Sequence, residues 1–318
     1  MKELRTEDEI IANWKGNIDK PVVSICCITY NHEPYIEDAL KGFLIQETDF
    51  PFEILIHDDA STDGTQKIIA QYQDQYPNVI KAILQTENQY SKNIRPTTDI
   101  LYPKAKGKYI ALCEGDDYWT DKDKIQKQAQ YLDAHPEIFI SGHDAFIIDE
   151  NNNHIADSKL PDSHKRDYSG EDMILGKAWL LTMSWMFRNI KFEKVPERNM
   201  VVNGDNFFTA LMGQHGGSHH HADIKPSAYR LHPGGVWSAL SDNEKKEAQI
   251  NTWFWMYRYY QRIGKEKYAR NYWLRYLRTV FSRANLRDLT KEYLISLTFL
   301  REQKALLKKV LVKLGLMK

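Results

Sequence analysis

The sequence predicts an α/β protein: a mostly parallel, Rossmann-like sheet flanked by helices, with a C-terminal helical extension. Short, nearly continuous apolar runs occur at 22–28, 52–56, 79–84 and 109–113, and segments of helical spacing follow the first two. Acidic residues stand one position beyond the second run and directly after the fourth. Uninterrupted apolar runs suit strands covered on both faces. Strand–helix alternation implies parallel neighbours joined by right-handed crossovers.

The elements follow in order. Pro21 opens Val22–Ile28, read as a central strand, and Thr29-Tyr30-Asn31-His32 is a turn. From Glu33 to Gln46, Ile36, Leu40, Phe43 and Leu44 recur at helical intervals. Phe52–Ile56 is the next strand, and Ser61-Thr62-Asp63-Gly64-Thr65 supplies turn and cap chemistry for a helix carrying Ile68, Ile69 and Tyr72. Val79–Leu84 and Tyr109–Cys113 complete four strands. A helix over Asp121–Ala134 stops at His135-Pro136, and strand-like pieces follow at Ile138–Ile140 and Ala145–Ile148. Asp149–Asp167 is polar and reads as a mobile loop that orders over substrate. Leu180–Phe187 reads as a strand and Gly204–Met212 as a short helix, and Ala228–Leu231 leads into the turn His232-Pro233-Gly234-Gly235. From Asn243 onward the pattern is helical.

The 318 residues, 42% hydrophobic and 27% charged, fit a globular protein of one large or two smaller domains. Formal net charge is zero but unevenly spread: Arg262–Lys318 holds 15 Lys/Arg against 4 Asp/Glu, a net of +11. That asymmetry suits either an anionic partner, such as membrane lipid, an anionic polymer or nucleic acid, or a solvated helical face. Cys26, Cys27 and Cys113 all fall in apolar runs without a CxxC, as small core residues in a reducing compartment would. No N-terminal signal pattern and no apolar run of membrane-spanning length is evident, so a cytoplasmic location is expected.

Glu114-Gly115-Asp116-Asp117 at one strand end and Asp58-Asp59 at another crowd carboxylates where open α/β sheets bind ligands. Such groups repel one another and lose solvation, so a cation should offset them; a hard divalent ion carrying phosphate is the natural candidate.

Three stretches in this order, 23–32, 54–65 and 107–119, resemble the GT-A nucleotide-sugar glycosyltransferases of family two, over about residues 20–237. The resemblance implies a catalytic domain over 1–240, with a nucleotide half at about 20–120 and an acceptor half at about 121–240, and a helical region at 241–318. It implies that Thr29, Asn31 and Glu33 lie against the base and ribose, and that Asp59, with Asp58 as its competitor, accepts from the uracil ring. Glu114-Gly115-Asp116-Asp117 fills the place of the DxD motif, with Glu for the first Asp. Asp116 is then expected on the ribose, Asp117 on Mn²⁺ or Mg²⁺, and Glu114 in support. Asp205 falls where the family places its base, although the neighbour is Asn206 and not a second acid. Arg230 and His232 are candidates for the phosphates or the metal, and Trp185 and Trp237 for a sugar face. Capping and core packing remain the plainer readings of the aspartates and of the tryptophans.

The activity implied is inverting, metal-dependent transfer from a nucleotide-sugar, expected to be a UDP-sugar, to a saccharide or lipid-linked acceptor in surface polysaccharide synthesis. Two rivals stand beside it. A nucleotidyltransferase would carry a glycine-rich basic loop where this chain has Thr29-Tyr30-Asn31-His32-Glu33. A catalytically silent scaffold or saccharide-binding member would need no base. Nucleic acid is not an expected partner. Over Leu297–Leu316, Phe299, Leu300, Leu306, Leu307, Val310, Leu311 and Leu314 interleave with Lys304, Lys308, Lys309 and Lys313. Peripheral membrane contact, packing on the catalytic domain and a homodimer each account for that stripe.

Overall fold

The computed structural model describes residues 4–191, 193, 195–235, 237–283 and 285–313. Val236, Leu314 and Leu316 lie outside the described residues, as do the side chains of Lys309, Val310 and Lys313. A short helix α1 (Glu7–Ile11) precedes β1 (Val23–Thr29), α2 (Ile36–Leu44), β2 (Phe52–Asp58), α3 (Thr65–Gln75), β3 (Ile80–Leu84) and β4 (Tyr109–Leu112). Next come α4 (Lys124–Ala134), β5 (Ile138–Gly142), β6 (Ala145–Asp149), β7 (His154–Ala156), α5 (Gly170–Ile174), β8 (Met186–Arg188), α6 (Gly204–Met212), β9 (Gly217–His220) and β10 (Ser227–Leu231). Helices α7 (Asp242–Arg262), α8 (Glu266–Phe281) and α9 (Leu286–Lys313) follow.

The main sheet runs β3-β2-β1-β4-β8-β5-β9, and a second sheet runs β10-β6-β7. Strands β3, β2, β1 and β4 are parallel, as the apolar runs predict, with Thr29 level with Asp58 and Cys26 level with Leu112. The period of two along these strands divides the core. Ile25, Cys27, Ile54 and Ile56 face Leu40, Phe43, Ile69, Trp119 and Ile125 on one side. Cys26, Leu55, Ile110 and Leu112 face Trp185, Phe208 and Met212 on the other. The three cysteines are buried free thiols. A third cluster joins Phe207 and Leu211 of α6 to Trp253, Met256 and Tyr260 of α7 and Tyr272 of α8.

Three expectations change. Leu180–Phe187 is not one strand: Ser184 donates its N–H and its hydroxyl back to the Leu181 carbonyl, making a 3₁₀ turn over Thr182–Ser184. Only Met186–Arg188 pairs, antiparallel to both β4 and β5, which makes the sheet mixed. The segment 149–167 holds ordered structure: β7 returns antiparallel to β6, while Asp144 accepts from Ser158 Oγ at 2.5 Å and from the Leu160 N–H at 3.0 Å. Helix α4 begins at Lys124 because the Asp121 carboxylate caps the turn before it, accepting from the N–H of Asp123 and of Lys225, each at 3.0 Å. Helix α7 opens on a capping box between Ser241 and Glu244. No helix among the described residues is long and apolar enough to cross a membrane.

Candidate active site

Register brings the carboxyl ends of β1, β2 and β4 together, and their loops continue the ladder. Asp59 N–H donates to the Thr29 carbonyl at 3.0 Å and Gly115 N–H to the Ile28 carbonyl at 2.9 Å. Glycine is required at 115, because a Cβ there would stand 2.9 Å from Thr29 Oγ1. This contact sets the β4 loop directly on the first turn.

That turn is laced to the loop after β2. Asn31, at φ 54°, accepts from Thr62 N–H at 2.8 Å, and its own N–H donates to Ser61 Oγ at 2.8 Å. His32 N–H donates to Thr65 Oγ1 at 2.9 Å, and Glu33 Oε2 accepts from Gly64 N–H at 2.8 Å. The aspartates at the end of β2 are committed in the same way. Asp58 accepts from Ser61 N–H and hydroxyl and from Gln66 Nε2. Asp59 accepts from Gln89 N–H at 2.7 Å and Tyr90 N–H at 3.1 Å. Asp59, with Asp58 as its competitor, was expected to meet the donor base; in the structure both carboxylates hold the loops around the first turn. Thr29 Oγ1, also expected on the donor, is buried and without a hydrogen bond.

Beyond β4 the adjacent aspartates diverge. Asp116 Oδ2 lies 3.0 Å from His232 Nε2 and 3.9 Å from His32 Nε2. Asp117 was expected on the metal, but it is buried, and its Oδ1 accepts the Arg230 N–H at 2.8 Å. Burial, with Asp116 and Glu114 nearby, pushes the Asp117 carboxyl well above its usual range. Arg230 was a candidate for the donor phosphates or the metal, and all three of its guanidinium nitrogens are engaged within the protein. Nε donates to the Asp116 carbonyl at 2.9 Å, Nη1 to Asn152 Oδ1 at 2.7 Å, and Nη2 to Asp38 Oδ2 at 2.9 Å. The arginine braces the β4 loop against α2 and the second sheet.

The atoms that do converge belong to His32, Asp116 and His232, whose ligand-capable atoms lie within 4.8 Å of one another. Tyr35 packs against both imidazoles, with ring centroids 6.3 and 4.9 Å away. Burial lowers the His32 pKa against the pull of Asp116. Burial alone would raise Asp116, but the His232 hydrogen bond and the two imidazoles hold it below the ordinary carboxylate range. Asp116 Oδ1 is buried and accepts no hydrogen bond, a deficit that a cation would relieve. The donor set therefore fits a divalent metal ion. His32 is the residue that sequence reasoning left without a role. A histidine three positions past a strand end was its signal, and only the fold shows that it meets residue 232.

Glu114 is pushed up to about 7 by burial and by the charges of Asp116 and Asp205. Asp205, in the first turn of α6, is exposed. Desolvation raises its carboxyl, against a hydrogen bond from the Asn206 N–H to Oδ1 at 2.8 Å. Oδ2 has no protein partner among the described residues. Trp185, expected to face a sugar, is packed in the core and stacked near Phe208 at 6.2 Å, so it presents no face to an acceptor. Trp237 is exposed.

Residues 24–193 match the model of the family described as glycosyl transferase family 2. An uncharacterized protein of Mycobacterium tuberculosis is 39% identical over 227 residues, covering 70% of this chain and 63% of that one, so the chain matches under two thirds of that relative's length. A putative teichuronic acid biosynthesis glycosyltransferase of Bacillus subtilis, TuaG, is 34% identical over 122 residues, covering 38% of this chain and 44% of its own. In structure, the chain is similar to residues 1–349 of S. aureus TarS, solved in complex with UDP-GlcNAc. The TM-score is 0.56 at 19% identity, covering 82% of this chain and 73% of that one, a likeness of fold.

Proposed function

Because the chain belongs to glycosyl transferase family 2, we propose that it transfers a sugar from a nucleotide-sugar, a UDP-sugar first, to a saccharide hydroxyl in surface polysaccharide synthesis. One observation carries this reading. The His32–Asp116–His232 cluster stands at the carboxyl ends of β1 and β4, with Glu114 beside it close enough to feel the charge of Asp205. The TarS fold solved with UDP-GlcNAc and the TuaG likeness support the choice of donor and pathway class.

In this proposal His32, Asp116 and His232 hold the divalent ion, and Thr29, Asn31 and Glu33 form the turn that receives the nucleoside. When bound, the ion supplies charge to offset the departing diphosphate. Asp205 Oδ2 accepts the proton of the acceptor hydroxyl as its oxygen bonds to the anomeric carbon. The bond from that carbon to the diphosphate breaks with its electron pair on the diphosphate, a single displacement that inverts the centre. The raised Asp205 pKa suits a base that must work near neutrality. Trp237 is assigned to the acceptor side. Purified protein with Mn²⁺ should release UDP from a UDP-sugar. No release from any nucleotide-sugar would leave the scaffold reading in its place.

The acceptor is proposed to be reached at an anionic bilayer surface. Along α9, Tyr293, Leu297, Leu300 and Leu307 are exposed on the arc that carries Arg301, Lys304 and Lys308. Asp288, Glu292 and Glu302 fall on the opposite arc, with Phe299 and Leu306 beside them. An apolar, basic and acid-free face is complementary to anionic lipid.

A further inference from the structure

We propose that Arg198, with Arg95 and Tyr102, forms a binding site for an anionic substituent, a carboxylate or a phosphate, on one of the two sugars that meet at Asp205. The inference rests on reading Asp205 as the base, and it concerns which sugars that base is given. Three observations carry it.

First, Arg198 is a half-buried cation without a partner. It belongs to the 3₁₀ turn Pro196–Met200 ahead of α6, and its guanidinium lies 4.5 Å from the centre of the Phe208 ring. Stacking covers one face of a guanidinium and leaves its N–H edges free. Among the described residues none of those N–H groups donates a hydrogen bond, and no carboxylate pairs with the charge. Other arginines spend their donors within the protein: Arg188 on the carbonyls of Leu132, His135 and Ile138, and Arg262 on both oxygens of Glu197. A guanidinium drawn out of water without an acceptor is costly, and a carboxylate or phosphate can take two parallel bonds from it.

Secondly, another guanidinium stands beside it. Burial lowers the Arg198 pKa and the charge of Arg95 adds to that, while Tyr102 and Asp99 oppose it. Arg95 Nη2 is fixed on the Val201 carbonyl at 2.7 Å, whereas its Nε and Nη1 donate to nothing among the described residues. Nη1 stands 3.1 Å from where a Cβ at residue 204 would be, one residue before Asp205. Asp99 is exposed, and its Oδ2 already accepts the Arg95 N–H at 2.9 Å. Two like charges held together in this way favour a bound anion.

Thirdly, Tyr102 offers a hydroxyl at the same place. Its ring packs on Phe208 with centroids 5.8 Å apart, and its hydroxyl makes no hydrogen bond among the described residues. Tyr102 feels the charges of both Arg198 and Glu114, and Glu114 feels that of Asp205, which ties these free donors to the neighbourhood of the base.

The test is calorimetry on the full chain in two arms. UDP-glucuronate is compared with UDP-glucose as donor; glucuronate and glucose 6-phosphate are compared with glucose as acceptor, with and without UDP. In one arm the charged probe should bind at least about tenfold more tightly than its neutral counterpart, and that arm identifies which sugar carries the anion. Arg198→Gln should bring the ratio in that arm down to about one. Arg198→Lys should keep part of it, because the charge remains and the paired donors do not. Equal affinities in both arms overturn the proposal on wild-type protein alone, whether or not a variant folds. A preference that survives Arg198→Gln overturns it as well. If the preference depends on Arg198 but no sugar is transferred, the anion site stands and the enzymatic reading falls.

Discussion

Arg230 Nη2 and Asp38 Oδ2 meet at 2.9 Å, joining the end of the second sheet to helix α2 directly beneath the β4 loop. The arginine side chain is fully shielded from solvent, and its Nε holds the Asp116 carbonyl. Arg230→Met leaves the Asp116 and Asp149 carbonyls and Asn152 short of donors, and should lower stability by about 3 kcal/mol in urea denaturation. Loss of UDP binding with an unchanged melt would instead make Arg230 a direct donor contact.

Asp205→Asn keeps the size of the side chain and removes its basicity. Calorimetry should show UDP binding unchanged, while transfer falls by roughly 10²–10⁴-fold. Retained transfer would assign the proton to another group.

Glu114 carries a pH signature. Its folded pKa, about 7, lies above the ordinary glutamate value, so between these the native state binds more protons than the unfolded chain. Stability contributed by the protonated form is present at pH 4 and is lost as pH rises towards 7. In metal-free buffer Glu114→Gln should therefore match wild type near pH 4 and exceed it at pH 8, by about 2 kcal/mol after allowance for partial exposure. A difference that grows toward acid would contradict the assignment.

Ala60 sits at φ 65°, a left-handed conformation that a Cβ disfavours. Ala60→Gly should relieve that strain by more than the added unfolded-state entropy costs, raising stability by up to about 1 kcal/mol. A lower melting temperature would show that the backbone there is not strained.

For the bilayer reading, the protein should sediment with vesicles of phosphatidylcholine and phosphatidylglycerol and not with phosphatidylcholine alone, less so at high salt. Lys304→Glu with Lys308→Glu should release it while leaving turnover of a soluble acceptor unchanged. Vesicle binding indifferent to lipid charge would set that reading aside, and a shift to dimer mass would favour a second copy of the chain.

Much of this architecture is legible in the sequence where one physical signal dominates. The runs 22–28 and 109–113 are largely buried and, Ser24 apart, apolar, and the acids beyond 52–56 and 109–113 mark strand tips. Strand β8 was less legible. It is three residues long, and a serine hydroxyl turning back on the Leu181 carbonyl decides where it begins. The second sheet depends on pairing between residues 145–149 and 227–231, which no local pattern reveals. The same holds in the site. That four residues carry three carboxylates is plain from Glu114-Gly115-Asp116-Asp117, but which aspartate meets an imidazole and which an amide follows from where residues 230 and 232 arrive. Trp185 and Trp237 look alike as letters, and only packing separates a core ring from an exposed one.

Ligand atoms drawn from positions 32, 116 and 232 have a temporal corollary. A chain emerging from the ribosome has its first imidazole early and its last some two hundred residues later, so nascent intermediates lack the complete chelate. In the proposed metal site, high-affinity capture of an ion would report that β1, β4 and β10 have all found their places, which would make metal uptake a late, cooperative seal on the native topology rather than a seed for it.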